Sequence, residues 1–440
     1  MSTAPGGLTE GLVSELFSTR DGVLCVGGVP VPELAEAHGT PLYIYDAGLL
    51  RRRLQLLRRH LPSRVEVFFS VKANPNPEVI RVFVEEGAGT EVASAAEYLR
   101  ARAAGCAPER ILFAGPGKGA DELEEVVRQG IGEVHVESLE ELAVLDALGR
   151  RAGTPVPVAV RINPSVAIAG GAMRMGGLPA AFGFDEEGLE EVVRAVEASP
   201  GVRLQGLHQY AGTQILDAEV LAAQWKHAVE LAGRLAALVG RPLSRVDLGG
   251  GLGIPYFPHE SPLALATVQA LMEPVFAALD THPLLASTRF VVEPGRFLAG
   301  PAGLYLSRVR SVKQSRGTTF LVLDGGLHHH LAASGNLGQA IKRDYPLLNA
   351  SRMSEAPAPQ PVTVVGPLCT PLDTLGRQAR LPQTRAGDLV AVLQSGAYGL
   401  TTSPVGFLSH PMPAEVLVDG GRARRIRERG TFTQPLVALP

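Results

Sequence analysis

The chain has 440 residues, of which 45% are hydrophobic and 19% charged, and this composition indicates a globular protein of two or three domains rather than a disordered one. The net charge of −3 provides neither a basic surface for nucleic acid nor a polybasic membrane patch. Three cysteines without a CxxC spacing argue against a disulfide framework or a structural zinc site. Because the N-terminus also lacks a secretion signal, we predict a cytoplasmic protein.

From about residue 40 to 298, short strand-like runs alternate with amphipathic helical stretches. The predicted strands cover residues 65–72, 90–93, 111–114, 133–137, 156–163, 204–210, 245–248 and 290–293, and helical periodicity is clear over residues 121–129, 187–198 and 218–239. Eight strand–helix units in roughly 250 residues predict a (β/α)₈ barrel. A doubly wound open sheet is the alternative, but it normally uses fewer strands, and no GxGxxG turn follows the first strand.

After residue 300 the helical periodicity mostly disappears. Residues 319–323, 361–365, 388–393 and 414–418 alternate like strands between glycines and prolines, which predicts an all-β domain. Residues 23–26 form a similar run, and we expect them to add a strand to this domain. The predicted organisation is an N-terminal segment over residues 1–40, a barrel over 41–298 and a C-terminal β-domain over 299–440.

In barrel enzymes the functional residues lie where strands end, and three of the predicted ends are unusual here. Lys72 follows the apolar first strand, where partial burial favours a nucleophilic amine, although an ordinary surface lysine is the alternative. Gly249, Gly250 and Gly251 follow the seventh strand and would let the backbone approach an anion, unless they form a flexible turn. Glu293 ends the eighth strand, three residues before Arg296.

A carboxylate beside an arginine suits a cofactor that carries a basic ring nitrogen and a phosphate, as pyridoxal phosphate does. The alternative for Glu293 and Arg296 is a structural ion pair at the rim of the barrel. His208 and Tyr210 share one face at the end of the sixth strand, where an aromatic ring could stack on a planar cofactor.

The predicted β-domain contributes Cys369 in GPLC and Tyr398 in GAYG. A lone cysteine can be an acid or simply a small buried side chain. Three consecutive histidines, residues 328–330, could suggest a metal, but adjacent side chains on a strand point to opposite faces. We therefore predict no metal site.

Taken together and in this order, the motifs resemble those of fold-type III pyridoxal-phosphate-dependent decarboxylases, the alanine-racemase-like group that includes diaminopimelate and ornithine decarboxylases. The resemblance extends from Thr40 to about Val416. It implies a pyridoxal-phosphate-binding barrel, a β-domain and a homodimer with shared active sites that acts on an amino acid.

The resemblance also implies site residues. Lys72 in SVKAN matches the lysine that binds the cofactor covalently, and Glu293 in EPGR matches the partner of the ring nitrogen. Cys369 matches the cysteine that crosses the dimer interface and protonates the reacting carbon. The matches to phosphate-binding positions are Thr213, Gly249, Gly250, Gly251, Arg296 and Tyr398.

Four further residues complete the predicted site. His208 matches the first histidine of the HxHxGSQ motif, and Tyr210 replaces the second, which usually stacks on the cofactor ring. Arg161 and Asp373 are the predicted substrate-binding residues.

Departures from the family pattern concern the substrate. Diaminopimelate decarboxylases carry an arginine for the distal carboxylate after the DxG strand, and no arginine lies at the matching place in residues 331–334. They and ornithine decarboxylases also place an acid directly after the cysteine, where this chain has Thr370. A site that lacks both partners disfavours a free distal zwitterion.

The segments MRMGG at residues 173–177, HQYAGTQ, DGGLHHH and GPLCTPLD resemble instead the butirosin-type branch, which decarboxylates L-glutamyl-acyl carrier protein. A carrier-bound amino acid is therefore the leading prediction for the substrate. The alternatives are free diaminopimelate, a racemase on the same scaffold, and an inactive regulatory homologue. The retained Lys72, Glu293 and Cys369 argue against the last of these.

Overall fold

A computed structural model of the chain describes residues 7–165, 173–174, 179–210, 212–337, 339 and 342–436. Contacts within the chain group it into two units. One consists of residues 53–254 and 261–297, and the other of residues 1–52, 255–260 and 298–440. The boundary between residues 52 and 53 falls within helix Ala47–Arg59.

The unit of residues 53–254 and 261–297 is a closed parallel barrel. Its eight strands are, in chain order, Val65–Ser70, Gly89–Val92, Ile111–Phe113, Glu133–Val136, Val156–Asn163, Val202–Gln209, Arg245–Asp247 and Arg289–Val292. Each strand pairs with its neighbour in this order, and the eighth returns to pair with the first. This confirms the predicted (β/α)₈ architecture. We refer to these strands below as barrel strands 1 to 8.

Helices follow most barrel strands: Pro77–Glu85, Ala95–Ala103, Ala120–Gln129, Leu139–Ala152, Leu189–Glu197, Ala218–Val239, Leu265–Leu279 and the short Arg296–Ala299. Side chains at their N-terminal ends explain several starting points. Ser94 and Ser138 accept hydrogen bonds from the amides of Glu97 and Glu141, and Asp217 accepts from the amide of Glu219. Apolar side chains from strands far apart in sequence, Phe68, Leu112 and Val291, pack together in the core.

The other unit is built around a nine-stranded sheet. Its main path runs in the order Thr374–Ala379, Val362–Val365, Thr318–Leu323, Gly303–Ser315, Leu42–Asp46, Ala414–Asp419 and Arg422–Arg427. Leu389–Val392 pairs with Gly303–Ser315 and with Leu347–Asn349. The C-terminal region is therefore mainly β, as predicted.

The N-terminal part of this unit differs in detail from the expectation. Val23–Val26 forms a small antiparallel sheet with Ser18–Arg20 and Val29–Pro30, next to helices Leu8–Leu16 and Val31–His38, instead of joining the nine-stranded sheet. The reason is local, since a turn at Gly27 and Gly28 folds the chain back at once. The segment that does join the large sheet is Leu42–Asp46, which pairs with Gly303–Ser315 and Ala414–Asp419 and thus brings residues 41–52 into this unit rather than into the barrel.

Among the described residues, no helix combines the length and the apolar character that crossing a membrane would require.

Candidate active site

Lys72 lies in the 3₁₀ turn Val71–Ala73, directly after barrel strand 1. Its Nζ donates to Glu91 Oε1 at 3.0 Å and to Oε2 at 2.8 Å. Glu91 is on barrel strand 2 in register with Ser70, whose hydroxyl also donates to it, at 2.5 Å. Because Glu91 is buried whereas 41% of the Lys72 side chain is exposed, the amine is held by its carboxylate partner but accessible.

Glu91 was missed in the sequence, although an acid inside the short buried strand Gly89–Val92 was a usable signal. A carboxylate is rarely buried without a charged or hydrogen-bonding partner. Its partners here are the residues at the end of the neighbouring strand, Ser70 and Lys72.

Glu293 directly follows barrel strand 8, and its amide donates to the carbonyl oxygen of Gly249 at 2.9 Å. Its carboxylate Oε2 lies 3.5 Å from Nε2 of His208. Burial alone would raise the pKa of Glu293, but the neighbouring His208 holds it well below the usual range. Glu293 is therefore an ionised carboxylate.

His208, on barrel strand 6, is buried. Burial, together with the nearby His135, lowers the pKa of His208 to about 4. The imidazole is thus neutral at physiological pH. Its ring centroid lies 4.3 Å from that of His135 on barrel strand 4.

A group of buried polar residues surrounds these two side chains, and we call Glu133, His135, His208, Asp247 and Glu293 the Asp247 cluster. Nε2 of His135 lies 3.2 Å from Glu133 Oε1 and 3.8 Å from Asp247 Oδ2. One polar atom from each of His135, His208, Asp247 and Glu293 lies within 4.8 Å of the others. Glu133, His135 and Asp247 were not predicted from the sequence, although Glu133 and His135 are two residues apart on a strand and therefore share one of its faces.

The glycine loop after barrel strand 7 has no room for side chains. A Cβ at Gly249 would lie 2.4 Å from the carbonyl oxygen of Gln209, and one at Gly250 would lie 2.6 Å from that of Glu293. Gly249 and Gly251 also have φ values of +74° and +93°, which L-residues with a side chain rarely adopt. The loop therefore offers only backbone atoms to a ligand.

Tyr210 and Thr213 reach the same region. A Cβ at Gly250 would lie 3.5 Å from Cε2 of Tyr210, which places the tyrosine ring beside the glycine loop. Gly212 and Thr213 pair with Met173 and Arg174, and a Cβ at Gly251 would lie 2.9 Å from the carbonyl oxygen of Gly212. Residues 175–177 and Ala211, which belong to two of the sequence segments discussed above, lie outside the described residues.

The segment after Glu293 connects this region to Lys72. The amide of Ser70 donates to the carbonyl oxygen of Pro294 at 3.4 Å, and a Cβ at Gly295 would lie 2.7 Å from that of Ala73. Arg296 begins the short helix Arg296–Ala299. The fold thus brings Lys72, Glu293, His208, Tyr210 and the glycine loop to adjacent strand ends of one barrel.

Arg161, at the end of barrel strand 5, is bound to another protein side chain. Its guanidinium donates to Glu137 Oε1 at 2.7 Å and lies over the ring of Phe182 at 5.0 Å. Lys118 is fully buried and pairs with Glu141 at 2.9 Å and with Glu137 at 4.0 Å. Because Glu137 balances part of its charge, Arg161 would meet a substrate as part of a network, and its substrate contact stays a prediction.

Cys369, Asp373 and Tyr398 belong to the other unit. Cys369 is exposed, whereas Asp373 is buried. The carboxylate of Asp373 accepts from the amide of Leu327 at 2.6 Å and from that of Leu368 at 2.9 Å. These contacts give Asp373 a structural function in its own loop, and its predicted contact with substrate stays a prediction.

The three consecutive histidines have separate surroundings. The ring of His328 packs at a tilt against the rings of His329 and His410, with centroid distances of 3.8 Å and 4.8 Å. Nε2 of His329 lies 3.1 Å from the carbonyl oxygen of Pro411, and Nε2 of His330 lies 2.9 Å from the hydroxyl of Ser395. Burial lowers the pKa of both His328 and His330 to about 3, so these two imidazoles are neutral.

Comparison with known proteins identifies the family. The model of the pyridoxal-binding domain of pyridoxal-dependent decarboxylases matches residues 47–300, more than half of the chain. The chain belongs to this family. It is therefore an enzyme that uses pyridoxal phosphate to decarboxylate an amino acid.

Relatives of this decarboxylase align along nearly their whole length. The L-glutamyl-[BtrI acyl-carrier protein] decarboxylase of Niallia circulans is 38% identical, with 91% of this chain and 94% of the relative covered. The diaminopimelate decarboxylase of Zymomonas mobilis is 32% identical, with 94% and 96% covered. The crystal structure of the M. jannaschii diaminopimelate decarboxylase in complex with L-lysine shares the fold, with a TM-score of 0.87, 24% identity, and 95% and 96% covered.

The residues at the strand ends of the decarboxylase barrel fit pyridoxal phosphate. The glycine loop is a backbone cradle that side chains would fill, as an anionic phosphate requires. Buried Glu293 has one oxygen, Oε1, that receives no hydrogen bond from the described residues. Such an oxygen can pair with a protonated ring nitrogen.

Proposed function

We propose that Lys72 binds the cofactor covalently and that Glu293 pairs with the ring nitrogen. Lys72 has the accessible amine, and Glu293 has the ionised carboxylate with an unsatisfied oxygen. The other cofactor-binding residues in this proposal are His208, Tyr210, Thr213, Gly249, Gly250, Gly251, Arg296 and Tyr398. Tyr210 would lie against the cofactor ring and the glycine loop against the phosphate.

When bound, pyridoxal phosphate accepts the electron pair that is released as carbon dioxide leaves the substrate. Glu293 keeps the ring nitrogen protonated, so that the ring attracts these electrons. Cys369 then delivers a proton to the substrate carbon. We propose that this cysteine comes from a second copy of the chain in a homodimer.

We further propose that the substrate is an amino acid bound to an acyl carrier protein, with L-glutamyl as the model. The observation that carries this proposal is the absence of both partners of a distal zwitterion, since residues 331–334 contain no arginine and residue 370 is a threonine, in a chain that is 38% identical to a decarboxylase of such a substrate. A carrier-bound side chain has no free distal carboxylate, so it needs neither the arginine nor the acid that would bind a distal zwitterion.

The turn at Ala332–Ser334 supports this interpretation. Arg377 does contact the turn, since its guanidinium donates to the carbonyl oxygen of Ser334 at 3.0 Å. The same guanidinium donates to Asp344 Oδ1 at 2.7 Å. The arginine that contacts this turn is thus already paired with a carboxylate of the protein, so it does not replace the missing partner of a distal carboxylate.

Free diaminopimelate is the second candidate, because diaminopimelate decarboxylases 30–34% identical to this chain also align over nearly its whole length. It would require another residue to bind the distal zwitterion. A racemase would require two bases and would release little carbon dioxide.

Mass-spectrometric detection of carbon dioxide loss tests the proposal. The protein would be incubated with pyridoxal phosphate and either free lysine, ornithine, diaminopimelate and glutamate or glutamate loaded on an acyl carrier protein. We expect loss only from the loaded glutamate, and Lys72→Ala as the matched control should abolish it. Turnover of free diaminopimelate would overturn the proposed substrate, and unchanged turnover by Lys72→Ala would overturn the proposed function of Lys72.

The cytoplasm is the proposed site of action. The support is chemical: Cys25, Cys106 and Cys369 are all free thiols, as is usual in a reducing compartment.

A further inference from the structure

Three carboxylates are buried close together inside the barrel. Glu133 and Asp247 have no exposed surface and Glu293 has 4%. They come from barrel strands 4 and 7 and from the end of strand 8. Carboxylates that share a low-dielectric site do not all ionise, because the repulsion between them costs more than retaining a proton. At least one carboxyl group of the Asp247 cluster therefore keeps its proton.

The surrounding groups differ for the three acids. Glu133 has a partner on each oxygen, His135 at 3.2 Å and the guanidinium of Arg245 at 3.7 Å. Glu293 has His208 at 3.5 Å. Asp247 Oδ1 accepts from the amide of Gly249 at 2.8 Å, and the nearest cation-forming group to its Oδ2 is His135, which is closer to Glu133. Asp247 is thus the least compensated as an anion.

Three carboxylate oxygens in this cluster receive no hydrogen bond from the described residues: Glu133 Oε2, Asp247 Oδ2 and Glu293 Oε1. Of these, Glu133 Oε2 still has the guanidinium of Arg245 at 3.7 Å, which leaves Asp247 Oδ2 and Glu293 Oε1 without a charged partner or a donor. Buried polar atoms are rarely left without a partner. Two ionised carboxylates cannot satisfy each other, because both are acceptors only. One proton on Asp247 Oδ2 turns that oxygen into a donor to the Glu293 carboxylate, which has about four acceptor sites on its two oxygens and can therefore still accept from the cofactor's ring nitrogen.

We propose that Asp247 is a protonated, neutral acid that donates a hydrogen bond to Glu293, so that of these two residues it is Glu293 that carries the negative charge and would pair with the cofactor's ring nitrogen. Burial and the proximity of Glu293 raise the pKa of Asp247 well above its usual value, in agreement with this geometry. Asp247 is thus a positioning residue. The proposal extends the function proposed above for Glu293 and rests on it.

This arrangement has a functional reason. If Asp247 were ionised, its charge would repel that of Glu293, and Glu293 could take up the proton instead. A protonated Glu293 could not stabilise a protonated ring nitrogen. A neutral donor at position 247 fixes the charge on the residue that faces the cofactor.

Infrared spectroscopy of the cofactor-free protein tests the protonation state directly. The difference spectrum between wild type and Asp247→Asn at pH 7.5 should show loss of the carbonyl band of a protonated carboxyl group. Loss of an ionised carboxylate band instead would overturn the proposal. Asp280→Asn is the matched control, because the Asp280 side chain is 72% exposed and its spectrum should lose only carboxylate.

Cofactor affinity provides the second test. Asparagine can donate to Glu293 and accept from Gly249, whereas alanine can do neither. We expect Asp247→Asn to keep the dissociation constant of pyridoxal phosphate within about threefold of wild type, and Asp247→Ala to raise it about ten- to a hundredfold, as loss of a hydrogen bond to a charged group implies.

If Asp247→Asn and Asp247→Ala weakened pyridoxal phosphate binding equally, the proposal would be contradicted, because the charge of Asp247 would then be needed. The two proposals remain separable. If no substrate is decarboxylated by the wild-type protein, the function proposed for Glu293 fails, whereas the infrared result still decides whether Asp247 is protonated.

Discussion

The candidate site has no room for a side chain at Gly250. An alanine Cβ there would lie 2.6 Å from the carbonyl oxygen of Glu293, closer than real Cβ contacts come, and this nearest atom belongs to the backbone rather than to a flexible side chain. We predict that Gly250→Ala displaces the glycine loop and weakens pyridoxal phosphate binding by about tenfold or more, the equivalent of one charged hydrogen bond. Titration of the cofactor by absorbance measures this effect.

Gly233→Ala is the matched control. Gly233 lies inside helix Ala218–Val239, and a Cβ there would meet no atom within 4 Å. We expect this variant to bind the cofactor normally and to gain about 0.5–1 kcal/mol in the free energy of unfolding, because alanine favours the helix. Normal cofactor binding by Gly250→Ala would contradict the function assigned to the loop.

Residues at strand ends could be identified from the sequence, but their supporting partners could not. Lys72 and Glu293 stand in short, recognisable motifs. Glu91 contacts Lys72 from barrel strand 2, and His135 packs against His208 from barrel strand 4. The distance between two strands in space depends on barrel closure, which sequence spacing does not contain.

At the level of elements, the loop that carries Cys369 is anchored by one buried carboxylate. Asp373 accepts hydrogen bonds from the amides of Leu327 and Leu368, and Cβ atoms at Gly326 and Gly366 would lie 2.1 Å and 2.2 Å from its carboxylate oxygens. We predict that Asp373→Ala leaves two buried donors unsatisfied, at about 1–3 kcal/mol each, and loosens the loop.

Hydrogen exchange measured by mass spectrometry checks this prediction. Peptides containing Leu327 and Leu368 should exchange about tenfold faster or more in Asp373→Ala. Asp419→Ala, which removes a surface ion pair with Arg51, should leave these peptides unchanged. Equal exchange in Asp373→Ala and wild type would show that the loop does not depend on this carboxylate.

The stability of the unit that contains His328 is expected to depend on pH. The pKa of buried His328 is lowered to about 3, whereas an unfolded histidine titrates near 6.5. Between these values the unfolded chain binds a proton that the folded chain does not, so stability falls as the pH falls below about 6.5. By pH 5 the loss attributable to His328 is about 2 kcal/mol.

We therefore predict that His328→Leu retains about 2 kcal/mol more of its pH 7 stability at pH 5 than wild type does. Hydrogen exchange in urea, read on peptides from residues 298–440, measures the difference. His259→Gln, at an exposed position, should behave like wild type. A parallel decline of His328→Leu and wild type would show that this histidine does not titrate on unfolding.

The elements themselves were largely predictable. Barrel strand 5 and helix Ala218–Val239 have the predicted bounds, because their apolar periodicity is uninterrupted and Asp217 and Gly240 mark the ends of the helix. Pairing across long sequence distances was not predictable. Leu42–Asp46 contacts strands more than 250 residues away, and its apolar sequence fits a barrel strand equally well.

For the whole molecule, the proposed dimer has a kinetic consequence. If Cys369 of one copy serves the Lys72 site of the other, a mixed dimer of Lys72→Ala and Cys369→Ala chains has one intact site. Random assembly makes half of the dimers mixed, so coexpression should restore about one quarter of wild-type activity from two inactive parents. Activity of the purified mixture measures this.

Each variant expressed alone is the control, and both should be nearly inactive. No recovery in a mixture whose mixed dimers are verified by mass spectrometry would mean that both residues act within one chain.

The scarcity of lysine makes this protein unusually easy to label. Of its five lysines, Lys118 is fully buried against Glu141, whereas the amine of Lys72 is accessible. Borohydride reduction of the cofactor-loaded protein should therefore fix the pyridoxyl group on a single tryptic peptide. The same chemistry with a functionalised pyridoxal would attach a dye or a surface linker at one defined point, while the many arginines stay untouched.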